Sequence, residues 1–505
     1  MRLPQNAASV VTTLCVLALA APATAAPFTP GDLVVSRVVY SGAVNASGNP
    51  LQVGDALPIA GKTAVASGAF PGVFNNEVNN GVTVDANFGV TGAVVLDQYN
   101  PANQRVSSLA LPTSGANAYS NSFSSKSEGA LNLSTDGKSL TIIGYNAAPG
   151  RLDVSNSSVP GVADTKNTDL APPTYRSVAQ VKADGTVQVS QFNVFAGDNP
   201  RAAISAPGGF LMVGNSNGNT GPALTAGLQI GTPGNTTTTR VNPFNINTVN
   251  DPATGQPYAA TASKIDKYNN FRGETVFNNT LFVTKGSGSQ GINSVFQVGA
   301  AGQLPTLATA GTEQITILPG FNTLLASNAA SSFFPFGIWF ADENTLYVAD
   351  EGPGTTAADA SAGLQKWTRG GDGTWRLDYT LQSGLIGSTY TPAGFAGPST
   401  VTGLRNITGK VNGNGTVTIF GVTATVGSPA IDADPNQLVS ITDTLAFTTA
   451  QQSGVETFNI LQTALPGEVF RGVAFAPVDT AVPEPATFAV LGMGLIGLLA
   501  VRRRA

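Results

Sequence analysis

Phe336-Gly337-Ile338-Trp339-Phe340, then Asp342-Glu343-Asn344, then Leu346-Tyr347-Val348-Ala349-Asp350 is the stretch from which the fold is read. Two short apolar runs flank an Asp/Glu/Asn break, the pattern of two strands joined by a tight turn. The first run opens on a small residue, Gly337. The unit recurs. Gly129-Ala130-Leu131 precedes Ser134–Lys138 and Leu140–Gly144. Arg201–Ile204 precedes Pro207-Gly208-Gly209 and Phe210–Gly214. Arg272–Val276 precedes Asn278-Asn279 and Leu281–Val283. Thr402-Gly403-Leu404 precedes Asn412–Gly415 and Val417–Gly421. A sixth copy, Arg471–Phe475, has no second run after it. The missing run stands at the other end of the chain, as Gly31–Ser36.

The anchor residues are at positions 129, 202, 273, 337, 403 and 472, spaced 73, 71, 64, 66 and 69 residues apart; all are Gly except Ala202. Self-similarity at such a period marks a repeat architecture. After the inner pair, outer strands are readable in the fourth copy as Gly363–Trp367 and Trp375–Tyr379. In the first copy they are Val178–Val181 and Val187–Val189. Four strands per unit make the blade of an all-β propeller. Six blades are expected, with seven as the alternative, because residues 44–90 have room for another. A small anchor suits an innermost strand crowded against its neighbours. The split sixth blade closes the ring, with the C-terminal strand innermost and Val473 donating to the N-terminal strand. The surplus length is expected in loops such as 146–174 and 215–270, including the Thr236–Thr239 run.

Composition narrows the chemistry. Of 505 residues, 11% are charged, against about 25% in ordinary soluble domains. There is no His, and the single Cys is Cys15, which excludes Ser-His-Asp or Cys-His catalysis, His or Cys zinc sites and an internal disulfide. Residues 1–26 read as a signal peptide, with Arg2, the apolar run Val10–Ala21 and the small-residue site Ala23-Thr24-Ala25. The propeller is assigned to residues 27–480 and a sorting segment to 481–505.

That last segment reads Val482-Pro483-Glu484-Pro485-Ala486, an apolar run from Thr487 to Val501, then Arg502-Arg503-Arg504. Fifteen residues span roughly 22 Å as a helix, short of a ~30 Å bilayer core. The order of motif, short span and basic tail resembles the PEP-CTERM signal of Gram-negative bacteria. The resemblance implies signal peptidase and exosortase as processing partners, a transient anchoring in the inner membrane, and an address in the cell envelope or matrix, often tied to exopolysaccharide. Without Arg2, Glu484 and the tail arginines the chain keeps 21 basic and 29 acidic residues, net −8, which argues against nucleic acid as a partner. Within the blades, Asn344–Asp350 resembles an NHL- or SMP-type strand.

The residues ahead of the anchors are Glu128, Arg201, Arg272, Phe336, Thr402 and Arg471. Four of these six are charged in a chain poor in charge, and equivalent positions should ring the central channel near one mouth. Glu274 and Arg405 lie just beyond on the same strands, and Asp350 and Glu351 end a second strand. Such a ring either satisfies itself by ion pairs or holds an anionic ligand through bidentate arginines. Asp/Asn groups such as Asp432-Ala433-Asp434 and Asp342-Glu343-Asn344 are turn formers or, alternatively, a calcium site. Gly286-Ser287-Gly288-Ser289 reads as a linker. Two functions remain open: a non-catalytic surface module binding carbohydrate or protein, and a calcium-dependent lactonase- or phosphoesterase-type hydrolase using Asp, Glu, Lys or Tyr as base.

Overall fold

A computed structural model describes residues 28–479, apart from 58–62, 65–89, 124, 126, 165–171, 217–224, 329–331, 356–358, 396 and 428–434. The signal peptide, the sorting segment and Asp432–Asp434 therefore lie outside the described residues. The described strands form six antiparallel sheets. Blade 1 runs outward through Asn132–Leu133, Ser139–Tyr145, Arg176–Lys182 and Val187–Phe192. Blade 2 is Pro200–Ala206, Gly209–Gly214, Gly227–Gly231 and Thr238–Arg240. Blade 3 is Glu274–Phe277, Thr280–Lys285, Ser294–Val298 and Ile315–Ile317. Blade 4 is Pro335–Asp342, Thr345–Asp350, Gly363–Arg369 and Trp375–Leu381. Blade 5 is built on Ser399–Val411, Thr416–Gly427, Gln437–Thr444 and Asn459–Thr463. The first strand of each blade contacts the first strand of the next, round to the sixth.

The closing blade is the one expected. Its order is Glu468–Phe475, Leu33–Val39, Thr91–Tyr99, Arg105–Ala110, with Leu33 opposite Phe475 and Val35 opposite Val473. The C-terminal strand is innermost and the N-terminal strand lies in the middle of the sheet. One detail differs. The Val473 N–H points away from the N-terminal strand and is accepted by Asn406 Oδ1 of blade 5 at 2.7 Å. It is a bridge between blades, not a ladder donor.

The anchors show why they are small. A Cβ on Gly472 would stand 2.2 Å from the Leu131 nitrogen, one on Gly273 2.1 Å from the Phe336 carbonyl oxygen, and one on Gly337 2.5 Å from the Arg405 oxygen. Each is a contact with the next inner strand, too close for any side chain. Gly129 has φ +77, which only glycine adopts readily, and this explains why blade 1's inner strand begins only at Asn132.

Between blades the faces are apolar. Val34, Val38, Leu96, Leu131 and Ile142 share one such core, and Phe282, Phe340, Leu346 and Trp367 another. Blades 4 and 5 also share a polar core. Lys366 Nζ is 2.9 Å from Asp443 Oδ2, both fully buried, and Asp443 accepts hydrogen bonds from the hydroxyls of Tyr347 and Tyr379.

The segment 215–270 is not simply a loop. It carries both outer strands of blade 2, and Thr238–Arg240, overlapping the threonine run, is one of them. Those strands are short and rich in Gly and Thr. They are held by burial of Leu228 and Ile230 rather than by propensity. Of residues 44–90, the described part makes only isolated bridges, Val44–Pro50 and Ala56–Thr63.

Candidate functional site

All six inner strands begin at the same end of the channel, so the residues ahead of the anchors gather there. Glu128 is fully buried. Its Oε1 accepts from the Tyr145 hydroxyl at 2.5 Å and from the Asn199 amide, and its Oε2 accepts from the Ser122 N–H at 2.9 Å. Burial pushes its carboxyl up, opposed by these donors and by the nearby charge of Arg471. Arg471 in turn donates to the Phe123 carbonyl. Arg405 Nε donates to Glu351 Oε2 at 3.1 Å.

Arg201 and Arg272 are satisfied less well. Arg201 is 5% exposed, its Nε has no hydrogen-bond partner among the described residues, and Asp198 stands at 3.9 Å. Arg272 Nε donates to Ser287 Oγ at 2.7 Å, but its Nη1 is 3.8 Å from Glu351 Oε1. Both acids are beyond hydrogen-bond reach of these guanidiniums. Arg272 is pulled down to about 9, first by burial and then by the charge of Arg201, with Arg405 adding to it against Glu351 and Asp198. Lys267 Nζ adds a further cation 3.6 Å from Asp198. Five cations (Arg201, Lys267, Arg272, Arg405, Arg471) thus share this end with three carboxylates (Glu128, Asp198, Glu351) in a chain of net charge −5.

Two expected residues sit apart. Asp350 is fully buried below Glu351, accepting from Phe334 N–H and Gly352 N–H at 2.8 Å each, with its carboxyl pushed up to about 8 by burial. It fixes the backbone that carries Glu351. Glu274 lies further along the channel, outside this network. Phe336 and Thr402 bring no charge. Asp342 caps its own turn, accepting from Asn344 N–H at 2.8 Å.

Several contributors were not legible in the sequence. Asp198 and Asn199 lie on a loop and Lys267 on the one-turn helix Ile265–Tyr268, all outside the inner-strand repeat. The residues read as a linker are a brace: the Ser287 hydroxyl holds Arg272, while its carbonyl accepts from the buried Lys285 Nζ at 2.9 Å. Burial and Arg272 pull that amine down to about 7. Arg176, fully buried over the Tyr145 ring, donates to the carbonyls of Ser155, Ser157, Phe195 and Asp198 and so fixes the loop that presents Asp198. Its place in the strand Arg176–Lys182 gives no sign of that role.

Among the described residues, no group of three or more acid, His or Cys side chains is placed to hold a metal ion, and no helix is long and apolar enough to cross a membrane.

Residues 481–504 match the PEP-CTERM protein-sorting motif. The PEP-CTERM motif makes this an exported propeller sorted to the cell envelope, and it implies exosortase processing. No curated protein matches the chain. Among solved structures it is similar to the periplasmic gluconolactonase of Pseudomonas aeruginosa, with 12% identity and a TM-score of 0.35 over 75% of this chain and 81% of that one. That likeness is too slight to carry any chemistry across.

Proposed function

We propose that this PEP-CTERM propeller is a non-catalytic binding module of the cell surface or matrix, and that its arginine-lined channel mouth takes the carboxylate or phosphate groups of an acidic polysaccharide. The observation that carries this reading is the pair Arg201 and Arg272. Each is nearly buried, each feels the other's charge, and neither is hydrogen-bonded by its neighbouring acid. An anion between them would supply the bidentate contacts they lack. Exosortase removes the tail at the motif, residues 1–26 act as the export signal, and the tail anchors the chain in the inner membrane only until that cut.

The hydrolase alternative gains no support at the mouth. Asp350 spends both oxygens on backbone N–H groups, and Glu128 is enclosed by its donors.

The test is binding to polygalacturonate, with dextran as the uncharged control, at two salt concentrations. The wild type should bind polygalacturonate alone and more weakly at high salt. An Arg201→Ala, Arg272→Ala double variant should lose tenfold or more. Equal binding to dextran, or full binding by the double variant, would overturn the proposal.

A further inference from the structure

The buried pair between blades 4 and 5 has the parts of a reaction as well as those of an ion pair. Lys366 stands on Gly363–Arg369 and Asp443 on Gln437–Thr444, the third strands of the two blades, and neither side chain has exposed surface. Nζ is 2.9 Å from Asp443 Oδ2. Three backbone carbonyls of one segment, those of Thr444, Leu445 and Phe447, accept from Nζ at 2.8, 3.1 and 2.9 Å and hold the nitrogen against that carboxyl. Asp443 is polarised at both oxygens. The Tyr347 hydroxyl donates to Oδ2, and the Tyr379 hydroxyl donates to Oδ1 at 2.6 Å. Both tyrosines belong to an apolar core with Val417, Val439 and Ile441.

A second carboxyl stands beside Asp443. Glu456 Oε1 accepts from the Thr444 N–H at 3.0 Å, while Oε2 is buried and receives no donor among the described residues. Burial, then the hydrogen bond and charge of Asp443, push this carboxyl up to about 7. Like charges this close do not both ionise, so the two acids hold a proton between them. The core thus contains a nitrogen nucleophile, a carboxyl polarised by two hydroxyls, and an acid that gives and takes a proton near neutral pH.

We propose that Lys366 and Asp443 become joined by an isopeptide bond, which the folded protein makes on itself with Glu456 carrying protons. Nζ passes one proton to Oδ2 along their hydrogen bond, and the freed lone pair attacks Asp443 Cγ. Glu456 donates its proton as the Cγ–Oδ2 bond breaks, and Oδ2 leaves as water. The second proton shed by Nζ restores Glu456. Nζ keeps its third hydrogen as the amide N–H, and Oδ1 becomes the amide oxygen beneath the Tyr379 hydroxyl. Nothing is oxidised or reduced, and no co-reactant enters. Fixing amine and acid in contact replaces a bimolecular encounter. The product removes two buried charges, and with them the desolvation penalty of an interior ion pair. The bond staples adjacent blades in a chain whose single cysteine, Cys15, allows no internal disulfide.

Mass-spectrometric peptide mapping of the exported protein, digested with trypsin in urea, tests the proposal. In the wild type, trypsin should fail to cut after Lys366. The peptide containing Lys366 should be found joined to the one containing Asp443, lighter than their sum by one water. Lys366→Arg and Asp443→Ala should give no joined peptide. Glu456→Gln still accepts from the Thr444 N–H and leaves the ion pair in place, yet should carry the joined peptide at a tenth of the wild-type level or less. Wild-type peptides found only at their free masses, with cleavage after Lys366, would overturn the bond. A Glu456→Gln protein joined as fully as wild type would overturn the proton-carrying role.

Discussion

Closure of the ring predicts a specific weak point at Ala474. The Val473 N–H faces Asn406 of blade 5, so by antiparallel alternation the next residue, Ala474, directs its N–H at the N-terminal strand, opposite Val34. Both residues are buried. Ala474→Pro removes that donor and leaves the Val34 carbonyl unpaired, at a cost of about 1–3 kcal/mol. A proline ring in the middle of a sheet also displaces the backbone. Against a typical stability of about 5–15 kcal/mol this is a large fraction. Urea denaturation should show a clear drop in midpoint, and limited proteolysis should cut first within residues 33–39. Val473→Pro loses the Asn406 bridge instead, loosening the contact with blade 5 while leaving the N-terminal strand protected. Deleting residues 28–40 should abolish folding. That segment is the second strand of a blade and contains Val34, Val35 and Val38, all fully buried and each contributing about 1.5 kcal/mol or more. An Ala474→Pro protein with wild-type midpoint and wild-type protection would refute the closed ring.

Other expectations follow from the charges and the tail. Burial raises the Glu274 carboxyl well above 4.5, so its neutral form is the one the fold tolerates. Stability is then fully present below that ordinary value and falls as pH rises, by up to about 1.4 kcal/mol per unit until the folded pKa is reached. Glu274→Gln should flatten that part of the pH–stability curve, and an unchanged slope would show that the carboxyl is paired in solution. Lys366→Met leaves Asp443 buried without its cation and should cost about 3–5 kcal/mol by denaturation, whereas a loss below 1 kcal/mol would mean water reaches the pair. Replacing Glu484 with Ala, or deleting Arg502–Arg504, should leave the uncut protein in the membrane fraction; release at the wild-type rate by both variants would count against exosortase processing at this motif.

What the sequence disclosed and what it hid have physical causes. The anchors were legible because steric exclusion leaves a mark in residue size: a Cβ at Gly273, Gly337 or Gly472 meets backbone atoms of the next blade. The split blade was legible because half a unit stood at each end. The outer strands of blade 2 were obscured by composition, although the alternation of Leu228 and Ile230 is a strand signal. Contacts across blades leave no local trace. Lys366 and Asp443 lie 77 residues apart, and no spacing rule relates them. The mouth divided in the same way: the repeat located Arg201, Arg272 and Arg471, while Asp198 comes from a loop held by Arg176 and Lys267 from the one-turn helix Ile265–Tyr268.

The position of the sorting motif is compatible with a closed ring. The innermost strand of the closing blade ends at Phe475, and the chain is then fastened twice more: Ala476 N–H to the Asp32 carbonyl at 2.9 Å and Val478 N–H to the Gly137 carbonyl at 3.0 Å. The second bond joins the closing segment to the turn of blade 1. The sorting motif begins at residue 481, just beyond these bonds. A cut at Pro483–Pro485 therefore leaves both of these bonds in place. Val478 lies at the end of the channel opposite the arginines, so the chain passes into the sorting motif from the face of the propeller that does not carry the arginine mouth.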